Sequence, residues 1–316
     1  MTTRHLVDPE LVPGLDMIPT LEFSAATLPL IRQQFGVGGA TAAGDQTDLV
    51  ARDLRSISSP EGHSIALIIY RPANLPDPAP AVLYMHGGGY VIGSAASMLG
   101  ANQGLAEAAG CLLVAVDYRL APETCHPGPV EDCYTALKWL HNNATDLGVD
   151  PERIAVAGES AGAGLAAGLA VLARDRGEVA IVHQHLIYPM LDDRTNRSDA
   201  NSNAGEFVWT PESNEFGWSS LLGFPAGGDG VSPYAAAARA KDLTGLPSTF
   251  ISVGALDLFA EEDIEFARRL MRAGVPTELH LYPGAYHGFE IVADAAVTRK
   301  AHYNSVSALR RALHER

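Results

Sequence analysis

Six short aliphatic or β-branched runs recur along the chain: PAVLYM at 80–85, CLLVAV at 111–116, RIAVAG at 153–158, HLIYPM at 185–190, TFISVG at 249–254 and ELHLYP at 278–283. Each has the length of a buried strand, and helical patterns lie between them. Val130, Cys133, Tyr134, Leu137 and Leu140 follow the spacing of one buried helix face. A second helix runs from about 260 to Gly274, where glycine suits the left-handed C-terminal position. A last one extends from about Val292 toward Leu313. Strands alternating with helices predict an α/β fold, a doubly wound and mostly parallel sheet.

Two segments interrupt this rhythm. Residues 1–45 precede the first strand-like stretch, ARDLRSISS, and mix proline with apolar residues. Residues 191–235 separate two core strands by far more than the usual connection of about 2 to 6 residues. This second segment carries Phe207, Trp209, Phe216 and Trp218, and Thr210–Pro211 forms a good helix start. The expectation is a catalytic core of 46–190 and 236–316, with 1–45 and 191–235 as a helical cap over the carboxyl edge of the sheet.

Charge excludes some partners. With a formal net charge of −15, the chain repels a phosphate backbone or an anionic membrane surface, so nucleic acid is not an expected partner. The start, MTTRHLVDPELVPGLD, carries Asp8 and Glu10 and lacks the apolar run of a secretory signal. The run GLAAGLAVLA from Gly164 is about half a membrane span. A cytoplasmic protein without a membrane span is expected. Cys111, Cys125 and Cys133 make an odd count that reads as reduced, mostly buried thiols. His183 and His185 share one strand face, but no second ligand pair accompanies them and no metal site is expected.

The chemistry centres on Gly158-Glu159-Ser160-Ala161-Gly162. The pentad follows the strand RIAVA and opens a small-residue helix, so Ser160 stands on a strand-to-helix turn with its hydroxyl exposed. Neighbours two positions away must lack bulk, which accounts for the glycines. The helix start supplies free N–H groups and a positive dipole end. Upstream, His86-Gly87-Gly88-Gly89 directly follows the strand AVLYM. Such a loop, with the amide of Ala161, makes an oxyanion hole.

A serine hydroxyl needs a base, itself oriented by an acid. His287, in PGAYHGF after the strand ELHLYP, is the late histidine in the right loop; His280 lies in the strand, and His302 and His314 lie on or near the last helix. Asp257, in VGALDLF, is the preferred acid, with Asp192 and Asp193 also following a strand. Glu261, Glu262 and Asp263 read as charges at a helix start.

With HGGG at 86–89, DYRLAPE at 117–123, GESAG at 158–162, DLF at 257–259 and HGF at 287–289, the chain resembles the hormone-sensitive-lipase-like family of α/β-hydrolases, in its bacterial esterase branch. The resemblance covers nearly everything from about residue 60 onward. It implies the α/β-hydrolase fold and a carboxylesterase for short acyl chains: Ser160 as nucleophile, His287 as base, Asp257 as its orienter. It further implies oxyanion amides at Gly88, Gly89 and Ala161, and a loop held in shape by His86 and Gly87. Arg119 and Glu123 are implied to be structural. Leu258 stands where many members carry proline. Tyr90, Tyr188, Trp209 and Leu258 are the expected walls of the substrate pocket. The implied partner is a small-molecule ester, no metal or organic cofactor is required, and a homodimer fits the family without being specified by any residue. An amidase or deacetylase would use the same residues; a small-molecule receptor of this fold is disfavoured because all three catalytic positions are filled.

Overall fold

The computed structural model describes residues 3–18, 21–34, 49–197 and 201–315. Its sheet has eight strands: β1 (Val50–Ser58), β2 (Ser64–Pro72), β3 (Ala79–Met85), β4 (Leu112–Asp117), β5 (Val149–Glu159), β6 (His183–Ile187), β7 (Ser248–Gly254) and β8 (Thr277–Tyr282). The helices are α1 (Val12–Leu15), α2 (Leu28–Gln34), α3 (Leu99–Ala109), α4 (Gly128–Asn142), α5 (Ala161–Arg176), α6 (Pro211–Leu222), α7 (Ala260–Arg272) and α8 (Ala296–His314). The expected core boundary at residue 46 lies outside the described residues.

The strand order is β1-β2-β4-β3-β5-β6-β7-β8. From β4 to β8 every pairing is parallel, while β1 and β2 are antiparallel additions at one edge. The chain therefore leaves β3 in one direction to form β4, then returns to the other side of β3 to form β5. The carboxyl ends of β3 and β5 flank the point where the order reverses, the place where open α/β sheets bind ligands. Both the HGGG loop and Ser160 emerge there.

Helices α3 and α8 cover one face, where Ala106, Ala109, Leu309 and Leu313 pack on Tyr70, Val82 and Leu113. Helices α4, α5 and α7 cover the other, joined in one core with Leu83, Val114 and Val156. Helix α5 is buried from Ala161 to Ala173, which explains its small-residue composition: it lies directly on the sheet.

Some boundaries differ from the sequence reading. Strand β2 joins β1 through a turn at Ser59–Gly62 and has no following helix to announce it. The run expected at 185–190 is paired at His183–Ile187; Tyr188 takes φ 35° and turns the chain out of the strand, its N–H making a last bond to the Ser252 carbonyl. The last helix starts at Ala296 rather than Val292, after a 3₁₀ turn at Phe289–Ile291. Among the described residues, no helix is long and apolar enough to cross a membrane.

The two segments that break the rhythm meet above the sheet. Phe23 packs edge-on against Trp209 and stacks on Phe216. Thr3 donates to Glu206, and the Tyr286 hydroxyl donates to the Leu11 carbonyl, tying the N-terminal residues to the loop that carries His287.

Candidate active site

Ser160 has φ 52° and ψ −123°, a region that L-residues rarely occupy and that surrounding contacts must hold. Its N–H donates to the Ile187 carbonyl at 2.9 Å, and its own carbonyl accepts from Gly164 and Met190. The flanking glycines are sterically required. A Cβ on Gly158 would stand 2.5 Å from the Gly162 carbonyl, and one on Gly162 would stand 2.2 Å from the Met85 carbonyl oxygen.

The His287 Nε2 lies 3.0 Å from the Ser160 Oγ, and its Nδ1 lies 2.7 Å from the Asp257 Oδ2. Asp257 is fully buried, and its second oxygen accepts the Phe259 N–H at 3.0 Å. The carboxylate thus holds the imidazole with Nδ1 protonated and Nε2 free to accept the serine proton. Tyr188 and Phe259 stand edge-on to the ring, with centroids at 4.7 and 5.2 Å.

The other acids are engaged elsewhere. Asp192 pairs with Arg194; Asp193 pairs with Arg239 and accepts the Gly227 N–H. Glu261, Glu262 and Asp263 stand in the first turn of α7, as expected of charges at a helix start; Glu262 and Asp263 are buried there, while Glu261 stays outside. Glu262 accepts the Leu191 and Asp192 N–H groups and the Thr195 hydroxyl. Burial raises both carboxyls well above the usual range.

Above Ser160 the glycine loop takes conformations that favour glycine, with φ 121° at Gly88 and 58° at Gly89. Ala161 opens α5, so its N–H has no intrahelical acceptor. His86 is buried, its Nδ1 2.8 Å from the Gly87 carbonyl and its ring stacked on Tyr118, whose hydroxyl donates to the His86 carbonyl. Burial lowers its pKa, so the ring braces the loop as a neutral imidazole. Arg119 makes a forked pair with the buried Asp132, and Glu123 makes one with Arg32.

A family model of the alpha/beta hydrolase fold matches residues 82–291. The chain belongs to the hormone-sensitive-lipase-like family of α/β-hydrolases. The carboxylesterase NlhH of Mycobacterium tuberculosis is 35% identical over 255 residues, 79% of each chain. An ethyl acetate hydrolase of Pseudomonas putida is 31% identical over 296 residues, 90% of this chain and 92% of its own. Among solved structures, a bacterial heroin esterase matches with a TM-score of 0.92 at 41% identity, over 99% of this chain and all of its own. This α/β-hydrolase is a carboxylic ester hydrolase.

The expected pocket walls of the hydrolase fall into two groups. Tyr90 is not an accessible wall: it is fully buried, its ring 5.2 Å from that of Trp218 and its hydroxyl donating to the Met190 carbonyl. Its φ of 67° lies in the left-handed region that few non-glycine residues adopt. Tyr188 and Trp209 stay near the centre, their rings close to that of His287. Trp209 reaches over Gly89, with its ring 6.4 Å from that of His287. Leu258 packs against Gly205 of the 191–235 segment. Two residues given no role in the sequence reading also belong here: Glu159, beside Ser160, and Glu290, beyond His287, line one cavity with Tyr188. Burial raises the Glu159 carboxyl, against the pull of His287, the Gly87 amide and the Tyr188 and Tyr84 hydroxyls. The x position of G-x-S-x-G, at the end of a strand beside the glycine loop, was the signal for the first; nothing local marks the second.

Proposed function

We propose that this hydrolase cleaves short-chain acyl esters by two-step acyl transfer, with Ser160 as nucleophile, His287 as general base and Asp257 as its orienter. The observation that carries the reading is the continuous chain of 3.0 and 2.7 Å contacts from the Ser160 hydroxyl through His287 to a fully buried Asp257. Ser160 attacks the ester carbonyl while His287 accepts its proton. The tetrahedral oxyanion is held by the N–H groups of Gly88, Gly89 and Ala161, each worth about 100- to 1,000-fold in rate. His287 returns the proton to the departing alkoxide, and the same base then activates the water that releases the acid.

The short-chain preference is supported by Trp209 lying over Gly89, which limits space beside the serine. It is also supported by the ethyl acetate hydrolase among the relatives. Trp209, backed by Phe23, supplies this wall from the described parts of the two segments expected to form the cap. The test is initial rates on p-nitrophenyl esters from acetate to palmitate, beside Ser160→Ala. A maximum between acetate and hexanoate that vanishes without Ser160 is expected; turnover that persists in Ser160→Ala refutes the mechanism.

A further inference from the structure

A cavity of about 970 Å³ lies between α3, α8 and the carboxyl ends of β3, β5 and β6. Gly88 and Tyr188 are part of its wall, so it borders the position proposed for the ester carbonyl. Glu159 and Glu290 both face it, from the residue before Ser160 and from the turn after His287. Much of the remaining wall is small or apolar, as at Gly104 and Leu105 of α3 and Ala301 of α8. Two carboxyls in such a space disfavour each other's ionisation. Burial moves Glu290 up to about 8, and the nearby Glu159 charge adds to the rise.

Its polar groups are incompletely satisfied. The Oε2 of Glu290 is shut from solvent and has no hydrogen-bond partner among the described residues. Asn102, also on the wall, is 1% exposed, and neither its amide nitrogen nor its oxygen finds a partner of ordinary geometry, the Tyr70 hydroxyl lying nearby. Native proteins leave few buried polar atoms in this state. A proton on Glu290 relieves the like-charge conflict but leaves Asn102 unmatched. An uncharged alcohol offers a hydrogen bond but no compensating charge. An ammonium group carries the charge that two carboxylates require and donates an N–H to an unpartnered oxygen on this wall, that of Glu290 or of Asn102.

We propose that this cavity binds the protonated amine of a cationic ester substrate, its N–H directed to Glu290 with Glu159 beside it and Asn102 on the same cavity wall. The assignment rests on the esterase reading above and narrows its substrate class to esters carrying an aliphatic amine within a few bonds of the carboxyl group.

The test compares 2-(dimethylamino)ethyl acetate with its uncharged isostere, 3-methylbutyl acetate. Both are run at 1 M salt, where a Debye length of about 3 Å screens the general attraction of a chain with net charge −15. The wild-type ratio of kcat/KM, cationic over neutral, is expected at about 10- to 100-fold, the effect of one charge-assisted hydrogen bond. In Glu290→Gln the ratio is expected to fall close to one. As a readout independent of any variant, N,N-dimethylethanolamine should inhibit p-nitrophenyl acetate hydrolysis competitively, and 3-methylbutanol should do so at least about tenfold more weakly. Hydrolysis of both esters without a cationic preference, or a preference that survives Glu290→Gln, overturns the cavity assignment alone. Hydrolysis of neither ester, nor of p-nitrophenyl acetate, overturns the esterase reading with it.

Discussion

The indole of Trp209 closes on Gly89 so tightly that a Cβ built on the glycine would stand 2.0 Å from its Cη2. The same side chain packs against Phe23 and donates its N–H to Asn214 at 3.2 Å, so the N-terminal segment, the 191–235 segment and the glycine loop meet at one residue. Trp209→Ala is therefore expected to enlarge the space beside Ser160. The kcat/KM ratio of p-nitrophenyl octanoate over acetate should rise about tenfold, in line with a few methylenes of added room. Stability should fall by about 3 to 5 kcal/mol, as for other truncations of a buried tryptophan. A chain-length profile identical to that of the wild type would remove Trp209 from the pocket wall.

Asp257 uses its two oxygens differently, one on the Phe259 N–H and one on His287 Nδ1. An asparagine placed here keeps its carbonyl on the Phe259 amide and turns its NH₂ toward His287. That orientation favours the tautomer with Nδ1 unprotonated, which leaves Nε2 unable to accept the serine proton. Asp257→Asn should lower kcat by about 10⁴-fold, as in other serine triads, with a folded protein and a KM near that of the wild type. Steady-state kinetics with p-nitrophenyl acetate decides it; a loss below tenfold would mean that another group orients the histidine.

How much of this could be read in advance depended on whether a residue's neighbours are local. Ser160, Asp257 and His287 each stand just after a strand end, at β5, β7 and β8, so strand rhythm and chain order place them without knowledge of distant contacts. Tyr90 follows three glycines and reads as a pocket wall; its ring is buried by contacts with Trp218 and the Met190 carbonyl, both distant in the chain. Glu262 and Asp263 are legible as charges at a helix start, but not as buried ones. Both share the buried face of α7 with Phe266, Ala267 and Leu270 at helical spacing, and their burial depends on what packs against that face. The meeting of Glu159 with Glu290 depends on two loops brought together by the sheet order, which no local pattern encodes.

Arg32 anchors α2 from outside the sheet. Its guanidinium forks onto Glu123 at 2.7 and 2.8 Å and also donates to the Val91 and Ala121 carbonyls, both next to the glycine loop. Removing it leaves two carbonyls and a carboxylate to find water and frees α2 from its support. Arg32→Met should lower stability by about 1.5 to 3 kcal/mol, the range for hydrogen bonds to a charged group. KM should rise more than kcat falls, because α2 packs against Val91 and Ile92, next to the glycine loop, rather than against Ser160 or His287. Equal kcat and KM in the two proteins, beside an unchanged Tm, would show that the N-terminal anchor has no bearing on the site.

His183 and His185 lie on one face of β6, and their hydrogen bonds are local. His183 Nδ1 meets the Ser248 hydroxyl at 2.9 Å, its Nε2 lies 3.4 Å from His185 Nδ1, and His185 Nε2 meets the Ser305 hydroxyl at 2.8 Å. Burial, aided by the charge of Arg311, lowers His183 from 6.5 to about 4, and burial with the His183 charge lowers His185 well below its ordinary value. Between the two values for His183 the unfolded chain binds more protons than the folded one, so stability rises with pH across this window. The contribution is complete above pH 6.5 and is lost as the pH falls toward 4. A shift of this size corresponds to about 3 kcal/mol. In His183→Gln, where the amide can still bond Ser248, the Tm should therefore fall less steeply than the wild-type Tm between about pH 6.5 and 4.5, whatever the offset at neutral pH. Parallel curves across that range would mean that His183 titrates alike in the folded and unfolded chains, and that burial under α8 does not hold it neutral.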